Sequence, residues 1–168
     1  GYQGKFWDLL GDRSDYIYAA RDNRPAEKSY KQLGRVFPHP LSNDVPKDFY
    51  SALRFTPMGD ELTLDFVKEL VVRESLGRKG ATDVLAISLS ATDYLGHAFG
   101  PNSLEMEDNI LRLDRNLADL FDFIDKRIGL DQTLIVLSSD HGISPIPEHL
   151  LGLGMAAGRH RPNEFLKT

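Results

Sequence analysis

Two Asp–His pairs are the residues of this sequence whose types and spacing could support chemistry. Asp93 and His97 are four residues apart, so one turn of helix would place both side chains on the same face. Asp140 and His141 are adjacent in the chain. Carboxylate oxygens and imidazole nitrogens are ligands that zinc and similar divalent ions accept. The sequence therefore predicts metal ligands at all four positions.

Either pair taken alone is a common surface arrangement, and its place in the predicted fold makes it informative. The apolar run Val84–Leu89 precedes the first pair, and the run Thr133–Ser138 precedes the second. Short apolar runs of this kind are typical of strands buried on both faces. Ligands of open parallel sheets bind beyond the carboxyl ends of the strands. We therefore expect both pairs at one sheet edge, where two divalent ions could polarise a phosphoryl group.

Helical patterns surround these two predicted strands. Apolar residues recur at helical spacing from Leu62 to Val71, and again from Ile110 to Ile128. Ser103 suits the N-cap of the second helix, with acidic residues in its first turn. Charged residues on the other face of that helix, Arg112 among them, are expected to be a solvated surface. The order helix, strand, helix, strand implies a right-handed crossover and parallel strands, which is an α/β fold.

The first 58 residues show little regular pattern. They contain five prolines and many aromatic residues, and they predict irregular segments with short helices around Phe6–Leu10 and Asp48–Leu53. We interpret the aromatic side chains as packing, with a stacking surface for a substrate base as the alternative. The predicted division is a cap-like segment over residues 1–58 and an α/β metal-binding core over residues 59–168.

Composition excludes several classes of partner. The chain has 168 residues, a formal net charge of −5 and no cysteine. A mildly acidic chain has no general attraction for nucleic acid or anionic lipid. Without cysteine there is no disulfide, thiolate nucleophile or cysteine metal site. No apolar run approaches the roughly 20 residues of a membrane span. We therefore expect no nucleic-acid partner and no membrane span.

The sequence around both pairs resembles a known family. The run Thr-Asp-Tyr-Leu-Gly-His-Ala-Phe-Gly-Pro at 92–101 and the run Ser-Asp-His-Gly at 139–142 resemble the alkaline phosphatase superfamily. The closer resemblance is to its type I phosphodiesterase/nucleotide pyrophosphatase branch, which includes related bacterial alkaline phosphatases. It implies a partial alkaline-phosphatase-like α/β fold, with residues 59–168 as part of a larger phosphatase domain. Three other segments also look like the family: 55–59, 102–108 and 111–114.

The resemblance implies two metal ions, expected to be zinc. It assigns Asp93 and His97 to one ion, together with a further histidine from near the C-terminus of the family's fold. It assigns Asp140 and His141 to the other, together with an upstream aspartate and a Thr or Ser nucleophile. For the further histidine, His149 and His160 are candidates by residue type only, and surface loops are the favoured interpretation of both.

This sequence departs from the family pattern upstream of residue 60. No strand there ends in an aspartate and is followed by a Thr or Ser at a helix start, and Ser14 and Asp15 do not match. We therefore expect a fragment, inactive alone, whose catalytic nucleophile lies outside this chain. The whole enzyme is expected to be periplasmic or secreted and to cleave phosphate monoesters or diesters, including nucleotides.

Two alternatives remain open. The chain could be a non-catalytic module that binds a ligand or partner on a phosphatase scaffold, since it offers no nucleophile. It could also belong to a sibling of the superfamily, such as a phosphonoacetate hydrolase or a cofactor-independent phosphoglycerate mutase. The detailed motif at residues 93–101 disfavours the mutase.

Overall fold

The computed structural model describes residues 1–2, 4–23, 33–41 and 46–159. Regular structure in these ranges consists of helices, short 3₁₀ turns and one two-stranded antiparallel sheet. In chain order the strands and α-helices are β1 (Phe6–Trp7), β2 (His39–Pro40), α1 (Pro46–Leu53), α2 (Pro57–Arg73), α3 (Ser90–Phe99), α4 (Leu104–Arg127) and α5 (Pro147–Gly152).

Local sequence signals determine where the two longest helices begin. Thr56 is extended and precedes α2, and Pro57 occupies the first turn, where a backbone N–H has no partner within the helix. Ser103 accepts a hydrogen bond of 3.1 Å from the backbone N–H of Met106 at the start of α4. The N-cap predicted at Ser103 is therefore confirmed, and α1 contains the helix predicted over Asp48–Leu53.

The helix predicted around Phe6–Leu10 is wrong. Phe6 and Trp7 form β1 instead, and they pair antiparallel with Pro40 and His39 of β2. Long-range contacts decide the conformation here, because the Trp7 side chain is completely buried among apolar residues that are distant in sequence. Local periodicity in so short a segment carries too little energy to compete with that burial.

Helices α2, α3 and α4 pack against one another around two apolar clusters. The smaller cluster joins α2 to α4 through Leu64, Val67, Val71 and Leu120. The larger one joins α3 to the N-terminal segment, so most of the aromatic residues described in that segment serve packing. Its buried members are Trp7, Tyr16, Leu33, Phe37, Leu41, Phe49, Ala52, Leu53, Phe55, Met58, Leu95, Phe99, Leu104 and Met106.

The buried carboxylate of Asp108 ties the N-terminal segment to α4. It accepts hydrogen bonds from Trp7 Nε1 (2.6 Å), the Leu10 backbone N–H (2.7 Å) and the Tyr16 hydroxyl (2.7 Å). Arg112 Nε donates a fourth, also at 2.7 Å. The expectation that Arg112 belongs to a solvated face is therefore wrong. Its side chain is 16% exposed, because it neutralises a carboxylate that has no access to water.

Two more carboxylates near the start of α4 contact the same segment. Glu107 accepts hydrogen bonds from the backbone N–H groups of Ile17 (2.8 Å) and Tyr18 (2.9 Å). Glu105 is completely buried, with Oε1 3.3 Å from Nε2 of His39. Glu107 therefore holds a segment distant in sequence, and both acids lie in the first turn, where the helix dipole favours negative charge.

The two segments predicted as buried strands have no sheet partner among the described residues. Val84 is 92% exposed and Leu134 is 90% exposed, and the described part of the chain contains only the β1–β2 pair as a sheet. A strand buried on both faces needs neighbouring strands and a covering layer on each face. The described residues supply neither, so the expectation of paired, buried strands is not met within them.

Candidate metal centre

Helix α3 places Asp93 and His97 on one face, as their spacing predicts. Nε2 of His97 lies 3.2 Å from Oδ1 of Asp93, one turn earlier. The His97 side chain is 63% exposed, and that of Asp93 is 40% exposed. Both side chains are therefore held by a regular helix and are partly exposed.

His141 reaches the same place from the loop before α5. Its Nε2 lies 3.6 Å from Oδ1 of Asp93, and its ring centroid is 6.0 Å from that of His97. One ligand atom from each of Asp93, His97 and His141 lies within 4.8 Å of the other two. Two segments about forty residues apart in sequence thus bring two imidazoles and one carboxylate together.

A backbone contact fixes which nitrogen of His141 is free. Nδ1 lies 3.1 Å from the carbonyl oxygen of Gly142. A carbonyl oxygen can only accept, so Nδ1 carries the hydrogen and donates it. In the neutral ring Nε2 then has a lone pair and faces Asp93. This is the tautomer that a metal-binding histidine adopts when its other nitrogen is held by a carbonyl.

Asp140 lies at the edge of this group. Its side chain is 87% exposed, and its Oδ1 accepts the backbone N–H of His141 at 3.0 Å. Its Oδ2 is 3.6 Å from Nε2 of His141, the same separation that His141 has from Asp93. His141 therefore lies between the two carboxylates.

The other histidines considered from the sequence lie elsewhere. His149 is half-buried in α5 and does not belong to the three-residue group. His39 is completely buried, and its Nδ1 donates to the carbonyl of Leu33 at 2.8 Å, so it packs in the core. His160 lies outside the described residues.

The chemistry of the donor set fits a divalent ion. Oδ1 of Asp93 is inaccessible to water and has no well-formed hydrogen bond within the described residues. Catalytic zinc sites use three protein ligands, two histidines and one carboxylate among the known sets, and keep a fourth position open. Asp93, His97 and His141 offer ligands of these types, and both imidazoles are exposed.

Sequence reasoning missed Asp60, which supports α3 from the neighbouring helix. Its carboxylate is 3% exposed and accepts hydrogen bonds from Ala91 and Thr92 at the start of α3. Burial raises the pKa of Asp60 above its ordinary value, and those hydrogen bonds oppose the shift. A signal was present in the sequence, because Asp60 continues the buried stripe of Leu64, Val67 and Val71, where a charge is unexpected.

The sequence of the chain matches a known family. A family model for type I phosphodiesterases and nucleotide pyrophosphatases matches residues 5–156. The chain therefore belongs to that family, within the alkaline phosphatase superfamily.

The individual relatives include bacterial alkaline phosphatases. The alkaline phosphatase PhoV of Synechococcus elongatus is 42% identical over 145 residues, which are 86% of this chain and 26% of that protein. The alkaline phosphatase PafA of Elizabethkingia meningoseptica is 39% identical over 140 residues, which are 81% of this chain and 25% of that protein. The chain thus spans about a quarter of the length of these curated relatives.

A solved structure shows the same fold. The crystal structure of a mutant of alkaline phosphatase PafA superposes with a TM-score of 0.81 at 35% identity and covers 90% of this chain and 29% of that one. The predicted class, a partial alkaline-phosphatase-like α/β fold, is therefore confirmed. Among the described residues, no helix combines the length and the apolar character needed to cross a membrane.

Proposed function

We propose that this chain carries metal ligands of a phosphohydrolase that cleaves phosphate monoesters or diesters. The observation that carries the proposal is the convergence of Asp93, His97 and His141 from two separate segments. Membership of the type I phosphodiesterase family supports it, as do relatives that bear the name alkaline phosphatase.

We assign Asp93 and His97 to one ion and Asp140 and His141 to a second, with zinc as the expected metal. A divalent ion held at these residues would polarise a phosphoryl oxygen. The carboxylates offset the positive charge of the ions, and the Gly142 carbonyl keeps the His141 ring in the ligand tautomer. Because His141 Nε2 is 3.6 Å from both carboxylates, the two sites would adjoin one another.

The rest of the reaction is assigned to residues outside this sequence. A Thr or Ser nucleophile would attack phosphorus, and a small phosphate ester or nucleotide would be the substrate. Because the chain spans about a quarter of the length of its curated relatives, the proposal places the nucleophile in a longer polypeptide. A periplasmic or secreted location is part of the same proposal and rests on the family alone.

Zinc binding tests the site directly. Calorimetric titration of the chain should show binding that Asp93→Asn or His97→Gln weakens by at least about tenfold, because each removes a ligand that we assign to the first ion. His149→Gln is the matched control, since His149 lies outside the group, and it should leave affinity unchanged. Equal affinity in the wild type and all three variants would show that zinc binds elsewhere. Absence of zinc binding by the wild type would contradict the proposed site.

Hydrolysis tests the reaction. The longer polypeptide should hydrolyse p-nitrophenyl phosphate or bis(p-nitrophenyl) phosphate, lose activity with a chelator and recover it with zinc. Faster hydrolysis of p-nitrophenyl phosphate would identify a monoesterase, and faster hydrolysis of bis(p-nitrophenyl) phosphate would identify a diesterase. Zinc binding without hydrolysis of either ester contradicts the phosphohydrolase and favours the alternative, a non-catalytic module that binds a ligand or partner on a phosphatase scaffold.

A further inference from the structure

Asp60 is a buried carboxylate whose hydrogen bonds all reach the first turn of α3. Oδ1 accepts from the backbone N–H of Ala91 at 3.0 Å. Oδ2 accepts from both the backbone N–H (3.1 Å) and the hydroxyl (2.9 Å) of Thr92. Both oxygens of a side chain that is 3% exposed are thus committed to two consecutive residues of another helix.

Helix α3 lacks a cap from its own sequence. The residue before it, Leu89, makes no side-chain capping bond, although the first N–H groups of any helix have no partner within the helix. Asp60 supplies that acceptor from α2, and its negative charge suits the positive end of the helix dipole. Nδ2 of Asn109 donates to the Thr92 hydroxyl at 3.0 Å, so α4 holds the same turn.

Asp93 lies in this same first turn and directly follows Thr92. A change in the position or rotation of the first turn would therefore move Asp93 and, one turn later, His97 relative to His141. His141 lies on a separate loop, so it would not follow the helix. We infer that Asp60 is a positioning residue for the Asp93–His97–His141 group, acting through Ala91 and Thr92 on the start of α3. This inference rests on the proposed metal site.

An apolar residue would satisfy packing at position 60 without the energetic burden of a buried charge. Leucine would continue the stripe formed by Leu64, Val67 and Val71, yet it would leave the donors of Ala91 and Thr92 without an acceptor. Burial raises the pKa of Asp60, and its hydrogen bonds to Ala91 and Thr92 lower it, so the cap opposes the desolvation penalty of the carboxylate. The capping of α3 is the local interaction that offsets this penalty.

Asp60→Asn is the discriminating variant. The amide nitrogen of asparagine would face a donor from Ala91 or Thr92 in either orientation, so one side of the cap is lost with little change in volume. We expect zinc affinity to fall roughly 10- to 100-fold, the usual effect of altering a group that orients a ligand. The visible spectrum of the Co²⁺ complex should change as well, because it reports coordination geometry.

Asp108→Asn is the matched control. Asp108 is equally buried and hydrogen-bonded, but its carboxylate holds the N-terminal segment and not α3. It should lower the melting temperature while leaving zinc affinity within about threefold and the Co²⁺ spectrum unchanged. Equal losses of zinc affinity in Asp60→Asn and Asp108→Asn would show that general destabilisation of the fold causes the loss. That result would overturn the inference.

Two milder variants, at Thr92, test the inference even if Asp60→Asn does not fold. Thr92→Val removes the hydroxyl between Asp60 and Asn109 but keeps both backbone bonds, and it should weaken zinc binding about threefold to tenfold. Thr92→Ser retains the hydroxyl and should bind as the wild type does. If Asp60→Asn and Thr92→Val both bind zinc normally, the inference is wrong while the metal site stands. If the wild type binds no zinc, both the inference about Asp60 and the proposed metal site are wrong.

Discussion

Gly96 and Ile143 are in direct contact, and the contact depends on the absence of a side chain at position 96. A Cβ atom placed there would lie 1.9 Å from Cδ1 of Ile143. Gly96 lies between Asp93 and His97 on α3, and Ile143 follows His141 by two residues. The glycine therefore lets the loop that carries one candidate ligand rest directly on the helix that carries the other two.

Gly96→Ala should weaken zinc binding by at least about tenfold, because the new methyl group must displace Ile143 and with it His141. Ile143→Val removes Cδ1, the atom with which the new methyl group would clash. In the double variant Gly96→Ala/Ile143→Val, the nearest remaining Ile143 carbon is 3.1 Å from the new methyl group, so affinity should recover. Calorimetric zinc titration of the four proteins measures this coupling as a double-mutant cycle.

Gly152→Ala is the control for that experiment. Gly152 is also in a helix, but a Cβ there would meet nothing within 4 Å, so zinc affinity should not change. Normal binding by Gly96→Ala would contradict the prediction, and so would a double variant no better than Gly96→Ala.

Asp108→Asn should lower the free energy of unfolding by about 3 kcal/mol or more, because the amide presents a donor to groups that already donate. Four donors converge on this buried carboxylate, including Trp7 Nε1 and Arg112 Nε. Urea unfolding followed by tryptophan fluorescence reports the change, since Trp7 is the single tryptophan. Asp122→Asn, at an exposed position of α4, should stay within about 0.5 kcal/mol of the wild type. Equal stability of the two variants would refute the anchoring role of Asp108.

The sequence predicted those features of the site that depend on local periodicity. Asp93 and His97 share a face because α3 is regular, and the Ser103 N-cap follows from residue type. The place of His141 beside Asp93 depends on a tertiary contact through Gly96, which spacing alone does not express. The assignment of Asp140 and His141 to one ion stays a prediction.

The features that the sequence did not predict depend on partners distant in the chain. Trp7 joins a strand because its ring is buried against residues far away, and Arg112 is covered because Asp108 needs a cation. Asp60 carries a charge on an apolar stripe because it caps another helix. The apolar run at 84–89 has the composition of a buried strand, but composition does not show whether pairing strands are present.

Exposure of the predicted strand segments leads to a prediction about stability. Val84→Ser or Leu134→Ser in this chain should change the free energy of unfolding by less than about 0.5 kcal/mol, because both side chains are at least 90% exposed. Leu95→Ala should cost about 2–5 kcal/mol, because Leu95 is completely buried in the larger cluster. Urea unfolding distinguishes the two outcomes. Large losses from the serine variants would mean that these segments are packed within the isolated chain.

Tyr2 leads to a prediction about alkaline pH. Its hydroxyl donates to Oε2 of Glu61 at 3.1 Å. Burial, together with the negative charge and hydrogen bond of Glu61, raises the pKa of Tyr2 to about 12 from an ordinary 10.0. At about pH 11 an ordinary tyrosine is roughly nine-tenths ionised, whereas Tyr2 should remain mostly neutral. The ultraviolet phenolate absorbance of the wild type minus that of Tyr2→Phe isolates this one group.

The same pKa shift determines how stability depends on pH. The folded chain holds the Tyr2 proton more tightly than the unfolded chain, so this contribution is complete below pH 10.0 and is lost as pH rises toward about 12. The stability of the wild type relative to Tyr2→Phe should therefore decline across that interval. In Glu61→Gln the Tyr2 pKa should fall part of the way back, because burial remains while the charge is gone. A phenolate midpoint near pH 10 in the wild type would show that Tyr2 is neither buried nor bonded to Glu61 in solution.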